Sequence, residues 1–160
     1  MSLFEDDKYS YRDTFFVLFE RANRPSAERI RKSLAQLGNR YEITNISESP
    51  EGVESLTVKS PYDFSAMDIV YLEGEEVTGQ VKDWLEEFRT ITLIGDEAQK
   101  IKHLKHCDAR FDIYHFEQND GIGKGGEEDQ LDPGALLLVI EKLTELSQGT
   151  GLDPQSMSLI

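Results

Sequence analysis

Short runs rich in aromatic and β-branched residues alternate with segments of helical period along this chain, and an early hairpin signal interrupts the alternation. That order narrows the fold more than any other feature. Residues 14–19, Thr-Phe-Phe-Val-Leu-Phe, read as a central strand covered on both faces. Asn23, Arg24, Pro25 and Ser26 then supply capping side chains and a proline suited to a first helical turn. Ala27, Ile30, Leu34 and Leu37 follow at helical spacing, and Gly38 provides the stop.

Residues 41–46 and 53–58 are strand-like and are joined through Ser49, Pro50, Glu51 and Gly52, which predicts a hairpin. Another strand is expected over 67–72. Gly74, Glu75 and Glu76 open a helix whose apolar face is Val77, Val81, Trp84, Leu85 and Phe88. Residues 90–94 form a further strand-like run, Gly95 and Asp96 cap a shorter helix with Ala98, Ile101 and Leu104 inward, and 111–116 read as an interior strand. Asp132 and Pro133 open the last helix, which Gly149 closes.

The resulting order, β-α-β-β-β-α-β-α-β-α, predicts an α+β fold. Its first part can close as a ferredoxin-like split βαβ sheet, with added β/α elements and a C-terminal helix. A flavodoxin-like α/β doubly wound sheet is the alternative, because the later strands are separated by helices. The expected organisation is an N-terminal tail over 1–12, one α+β domain over 13–149 with a flexible Gly- and acid-rich loop at 119–132, and a C-terminal tail over 150–160 that can supply an edge strand.

A chain of 160 residues is long enough for one core without staples. Cys107 is the only cysteine, which excludes an intramolecular disulfide and fits a reducing, cytoplasmic setting. The first residues, Met-Ser-Leu-Phe-Glu-Asp-Asp, have neither a basic nor an apolar leader character, and the longest wholly apolar run is 135–140. Neither a secretory signal nor a membrane span is expected.

Charge is unevenly placed. Asp and Glu number 31 against 17 Lys and Arg, for a formal net charge of −14, yet between Arg21 and Arg40 six basic residues face one acid. The overall balance argues against nucleic acid, whose backbone is held by Lys and Arg. The local reversal marks Arg21 and Arg24 in a turn, and Arg29, Arg31 and Lys32 on the polar side of the first helix, as a surface for an acidic partner segment or a small anion. The alternative is a solvated face whose charges meet acids of the same chain.

Other signals are weaker. Gly121, Gly123, Gly125 and Gly126 around Lys124 have the glycine density of a phosphate loop, but Lys124 is followed by glycine and then by Glu127, Glu128 and Asp129. His103, His106 and Cys107 share a helix side, where Lys100, Lys102 and Lys105 would oppose a metal, and His103 is expected to face solvent. No metal or cofactor is therefore expected. His115 reads as a core histidine without an identifiable nucleophile, and Asp63, Asp68 and Glu73 read as exposed acids around one strand. Leu136, Leu137, Leu138, Val139 and Ile140 cover more than one helix face, which implies either burial on two sides or a homodimer interface through Leu137, Leu138 and Val139.

These readings favour a non-enzymatic regulatory or protein-interaction module over two rivals. One is a small enzyme with its site at the carboxyl ends of the strands, near Arg21, Asp96 and the loop at 119–132. The other is a structural homodimer through the C-terminal helix.

Overall fold

The computed structural model describes residues 2–89, 97–119 and 133–160. Its elements are β1 Tyr9–Phe19, α1 Ala27–Ala35, β2 Glu42–Ser49, β3 Gly52–Ser60, β4 Ser65–Glu73, α2 Glu75–Phe88, α3 Glu97–Leu104, β5 Ala109–Gln118, α4 Pro133–Ser147, β6 Thr150–Asp153 and β7 Ser158–Leu159. The expected strand over 90–94 and most of the loop over 119–132 lie outside the described residues.

The described strands form a seven-stranded sheet in the order β2-β3-β4-β5-β1-β6-β7. Every pairing is antiparallel. The fold is thus mixed α+β with an open antiparallel sheet, and the doubly wound parallel alternative is overturned by these pairings among the described strands. The opening elements also depart from the ferredoxin-like expectation: between β1 and β2 stand β3, β4 and β5, so the first crossover passes over three strands. A split βαβ unit does occur at the other end of the chain. β5 and β6 both run antiparallel to β1 and flank it, and α4 connects them.

Strand alternation sorts the apolar residues onto two faces. On the first, Val17 and Phe19 of β1, Met67 and Ile69 of β4, and Phe111 and Ile113 of β5 pack with Ile30 and Leu34 of α1 and with Leu136, Val139, Ile140 and Leu143 of α4. Each such side chain contributes roughly 1.5–3 kcal/mol when fully buried. On the second, Leu18 of β1 and Leu152 of β6 meet Val77, Val81, Trp84 and Phe88 of α2, with Leu104 and Cys107. A smaller cluster of Leu3, Ala66 and Phe116 closes the far end of that face under the short 3-10 turn Leu3–Glu5.

Local chemistry explains the boundaries. Ser26 caps α1 by accepting from the Arg29 N–H at 3.2 Å. The β2–β3 turn ends on Gly52 at φ 145°, where a Cβ would stand 2.9 Å from the Pro25 carbonyl oxygen. After α4, Gly149 lets the chain pass so near β1 that a Cβ would lie 2.5 Å from the Leu18 carbonyl oxygen. β1 begins at Tyr9 instead of within the apolar run, because β5 pairs with it from Phe19↔Ala109 to Tyr9↔Gln118. Leu3 is buried as well, so most of the segment expected as a tail is built into the fold. In α3, Leu104 is buried, Ile101 half-buried and Ala98 exposed, against the inward position expected for Ala98.

Candidate functional site

The basic window divides into two sets. Arg21 pairs with Glu73 at 3.3 Å and with Asp108 at 3.4 Å. The Arg24 side chain is only 8% exposed; its Nε donates to the Val53 carbonyl at 2.9 Å and its guanidinium lies 3.8 Å over the Tyr71 ring. Tyr71 in turn donates to Glu73 at 2.8 Å. Burial, then that hydrogen bond, holds its hydroxyl protonated well above the ordinary tyrosine range. Arg40 meets the buried Asp63 at 3.1 Å. These three arginines fasten strand ends and turns.

Arg29, Arg31 and Lys32 form the second set, all exposed on the face of α1 turned away from Ile30 and Leu34. Among the described residues Arg31 pairs with Glu28 alone, at 3.9 Å on the same helix. The N-terminus of α1 is engaged from within the chain. Ser26 takes the Arg29 N–H, and the Glu48 carboxylate accepts from Ala27 N at 2.9 Å.

A second region, not singled out in the sequence, lies on the second face of the sheet beside the N-terminal turn, over β2, β3, β4 and β5. It is a cleft of about 470 Å³, with Phe4, Asn45, Ser55, Asp68, Val70 and Tyr114 among its lining residues. Asp68 forms part of the floor and is 8% exposed, so it is not the surface acid expected from sequence. Its Oδ2 accepts from Ser2 Oγ at 3.0 Å and from the Leu3 N–H at 2.9 Å, and its Oδ1 from Thr57 Oγ1 at 2.7 Å. Asn45, at φ 52° beside a register shift in β2, is placed 3.5 Å from Thr57 Oγ1. Asp63 is likewise buried, at 4% exposure.

Beside the cleft, Tyr114 donates to Asp112 Oδ2 at 3.4 Å. Asp112 accepts from Arg110 Nε at 2.7 Å, and Arg110 also reaches Gln80 at 2.5 Å and lies 4.6 Å over the Phe16 ring. Burial raises the Asp112 pKa against the opposing pull of Arg110. The sequence signal for this pair is the every-second-residue series Arg110, Asp112, Tyr114, interleaved with the apolar Phe111 and Ile113. The interior-strand expectation over 111–116 does not single it out.

The structure supplies partners for His115. Its Nε2 lies 3.0 Å from Ser65 Oγ and its Nδ1 3.0 Å from Asp13 Oδ1, so a Ser-His-Asp series runs across β4, β5 and β1. Ser65 is 1% exposed and His115 2% exposed. A nucleophile must meet its substrate, and this serine is enclosed. The series pins three strands together and leaves His115 a satisfied core residue.

The remaining expectations find the following places. His103 is half-buried instead of solvent-facing, with Nδ1 3.1 Å from Thr150 Oγ1 of β6. Cys107 is buried in the α2–α3 cluster, where burial first and Glu20 and Asp108 next push its thiol up to about 12. Of the interface trio on α4, Val139 is wholly buried in the core, Leu138 half-buried and Leu137 47% exposed. The glycines around Lys124, and Asp96, lie outside the described residues. No helix among the described residues is long and apolar enough to cross a membrane.

No protein-family model matches the chain, and neither the curated proteins nor the solved structures include one detectably similar to it. Fold and site together define an α+β protein with an open antiparallel sheet, a basic helix face and a polar-floored cleft.

Proposed function

We propose that this chain is a non-enzymatic interaction module that docks an acidic segment of a partner protein on the outer face of α1. The observation that carries the reading is the division of the basic window. Arg21, Arg24 and Arg40 are neutralised by acids of the same chain, whereas Arg29, Arg31 and Lys32 project from one exposed helix face where, among the described residues, Glu28 is the one acid that pairs with them. On a chain of net charge −14, such a face is a local reversal that steers acidic partners to one place. An extended acidic segment suits it better than a small anion, since the first N–H groups of α1 already have Ser26 and Glu48 as acceptors.

The test is fluorescence anisotropy of a labelled octaglutamate peptide, titrated with the wild-type protein at low ionic strength. Binding should be saturable and should weaken steeply with salt, because exposed charges are screened within about 10 Å at 0.1 M. The triple variant Arg29→Ala, Arg31→Ala, Lys32→Ala should lose binding while keeping the wild-type unfolding midpoint. Equal binding by the folded triple variant would overturn the reading.

A further inference from the structure

The cleft beside the N-terminal turn rests on a different observation from the basic helix. Its volume of about 470 Å³ falls in the range of small-molecule sites. Among the described residues its lining holds one charged side chain, Asp68, and no Lys or Arg. No salt bridge to Asp68 occurs among the described residues; its carboxylate is held by hydroxyls and a backbone N–H alone. Of the cations on this face, Lys59, diagonal to Asp68 across β3 and β4, lies over the Tyr9 ring with Nζ 5.5 Å from its centroid, and Arg110, farther along β5, is turned to Asp112 and Gln80.

We propose that this cleft binds a small organic cation, an ammonium group carried on an apolar or aromatic body. A carboxylate oxygen has two lone-pair positions, and Oδ1 accepts one hydrogen bond, from Thr57, which leaves it able to accept another from an ammonium N–H. The walls suit the rest of such a ligand. Phe4, 56% exposed, stacks edge-on against Tyr114 with ring centroids 5.5 Å apart, and both rings line the cleft. Aromatic faces attract cations and also cover an apolar body. Val70 adds an apolar patch to the floor, and Asn45 and Ser55 offer polar contacts at the rim. An anionic ligand would meet Asp68 with no Lys or Arg in the described lining, within a molecule of net charge −14.

Isothermal titration calorimetry with three probes of one shape decides the matter: phenethylammonium, neutral 2-phenylethanol and anionic 3-phenylpropionate. The wild-type protein should bind phenethylammonium saturably and favour it over both others by at least about tenfold, the worth of a charged hydrogen bond. Asp68→Asn should remove that preference. Since Asp68 also anchors the N-terminal turn, two further variants guard the test. Phe4→Ala should weaken binding about two- to fivefold, as loss of an exposed cation–π contact implies, and Val70→Trp should block the cleft. Absence of saturable phenethylammonium binding, equal binding of 3-phenylpropionate, or unaltered binding by folded Val70→Trp would each overturn the proposal.

Discussion

Replacing Arg110 by methionine keeps an unbranched side chain over Phe16 but strips the cation from a buried carboxylate. In the wild type the Arg110 and Asp112 side chains are each 7% exposed and meet at 2.7 Å. Without Arg110, the one side-chain hydrogen bond left to Asp112 among the described residues is the long one from Tyr114 at 3.4 Å, and Gln80 loses the Arg110 donor. Breaking a buried pair from one side costs about 3–5 kcal/mol, and for a domain of this size each kcal/mol lowers Tm by roughly 2–4 °C. The loss should depend on pH. Burial already raises the folded-state pKa of Asp112, and removing the guanidinium raises it further. A carboxyl whose folded pKa lies above its unfolded value, ~3.9, contributes stability that is present below that value and disappears as pH rises through the folded pKa. Arg110→Met should therefore be most destabilised near neutrality and recover toward acid relative to wild type. Urea denaturation at about pH 5 and about pH 7.5 measures this, and adding Asp112→Leu to Arg110→Met should restore most of the loss, because two apolar groups replace the pair. A loss below ~1 kcal/mol at the higher pH, or a double variant as unstable as the single one, would refute the reasoning.

Two other predictions are simpler. The Cys107 thiol, pushed up to about 12 by burial, should react with a thiol reagent at pH 8 only as fast as the protein opens, so urea should accelerate labelling by orders of magnitude; labelling of the native protein at the rate of free cysteine would contradict its placement. On α4, Leu137→Glu should change stability by no more than ~0.5 kcal/mol, whereas Ile140→Ala should cost about 2–5 kcal/mol. Light scattering then separates the roles: a dimer that Leu137→Glu dissociates supports an interface on the exposed side of α4, and a monomer at high concentration removes it.

What the sequence made legible was local. The capping serine and the apolar spacing of α1 and the Pro-Gly turn of the β2–β3 hairpin come from neighbours within a few residues; on α4 the buried stripe is Leu136, Val139, Ile140 and Leu143, and the expected cover on a second side is not seen at Leu137. The strand order was not legible, because alternation identifies which side of a strand is apolar and leaves open which strand lies beside it. Placing β5 between β4 and β1 decides the rest. It joins Ser65, His115 and Asp13, three positions with no local relation, and it extends β1 back to Tyr9 through residues whose own polarity gives no strand signal. Asp68 was read as a surface acid because its partners, Ser2 and Leu3, stand at the other end of a long sequence separation.

The second face of the sheet ties the fold to its proposed chemistry. A helix can lie on a strand surface only where that surface is apolar, and α2 does so over Phe16, Leu18 and Leu72. Farther along β3, β4 and β5 the same face carries Thr57, Asp68, Asp112 and Tyr114, whose buried polar atoms need partners that a packed helix face does not offer. Hydroxyls, an N–H and Arg110 satisfy them instead, and the N-terminal turn closes over the far end through its contact with Asp68. The cleft lies beside the N-terminal turn on the part of this face where Thr57 and Asp68 supply a polar floor. Substituting apolar residues for Thr57 and Asp68 together would make that floor attractive to apolar cover and remove the one charged group the cleft presents. Stability and ligand recognition should therefore trade against each other at these two positions.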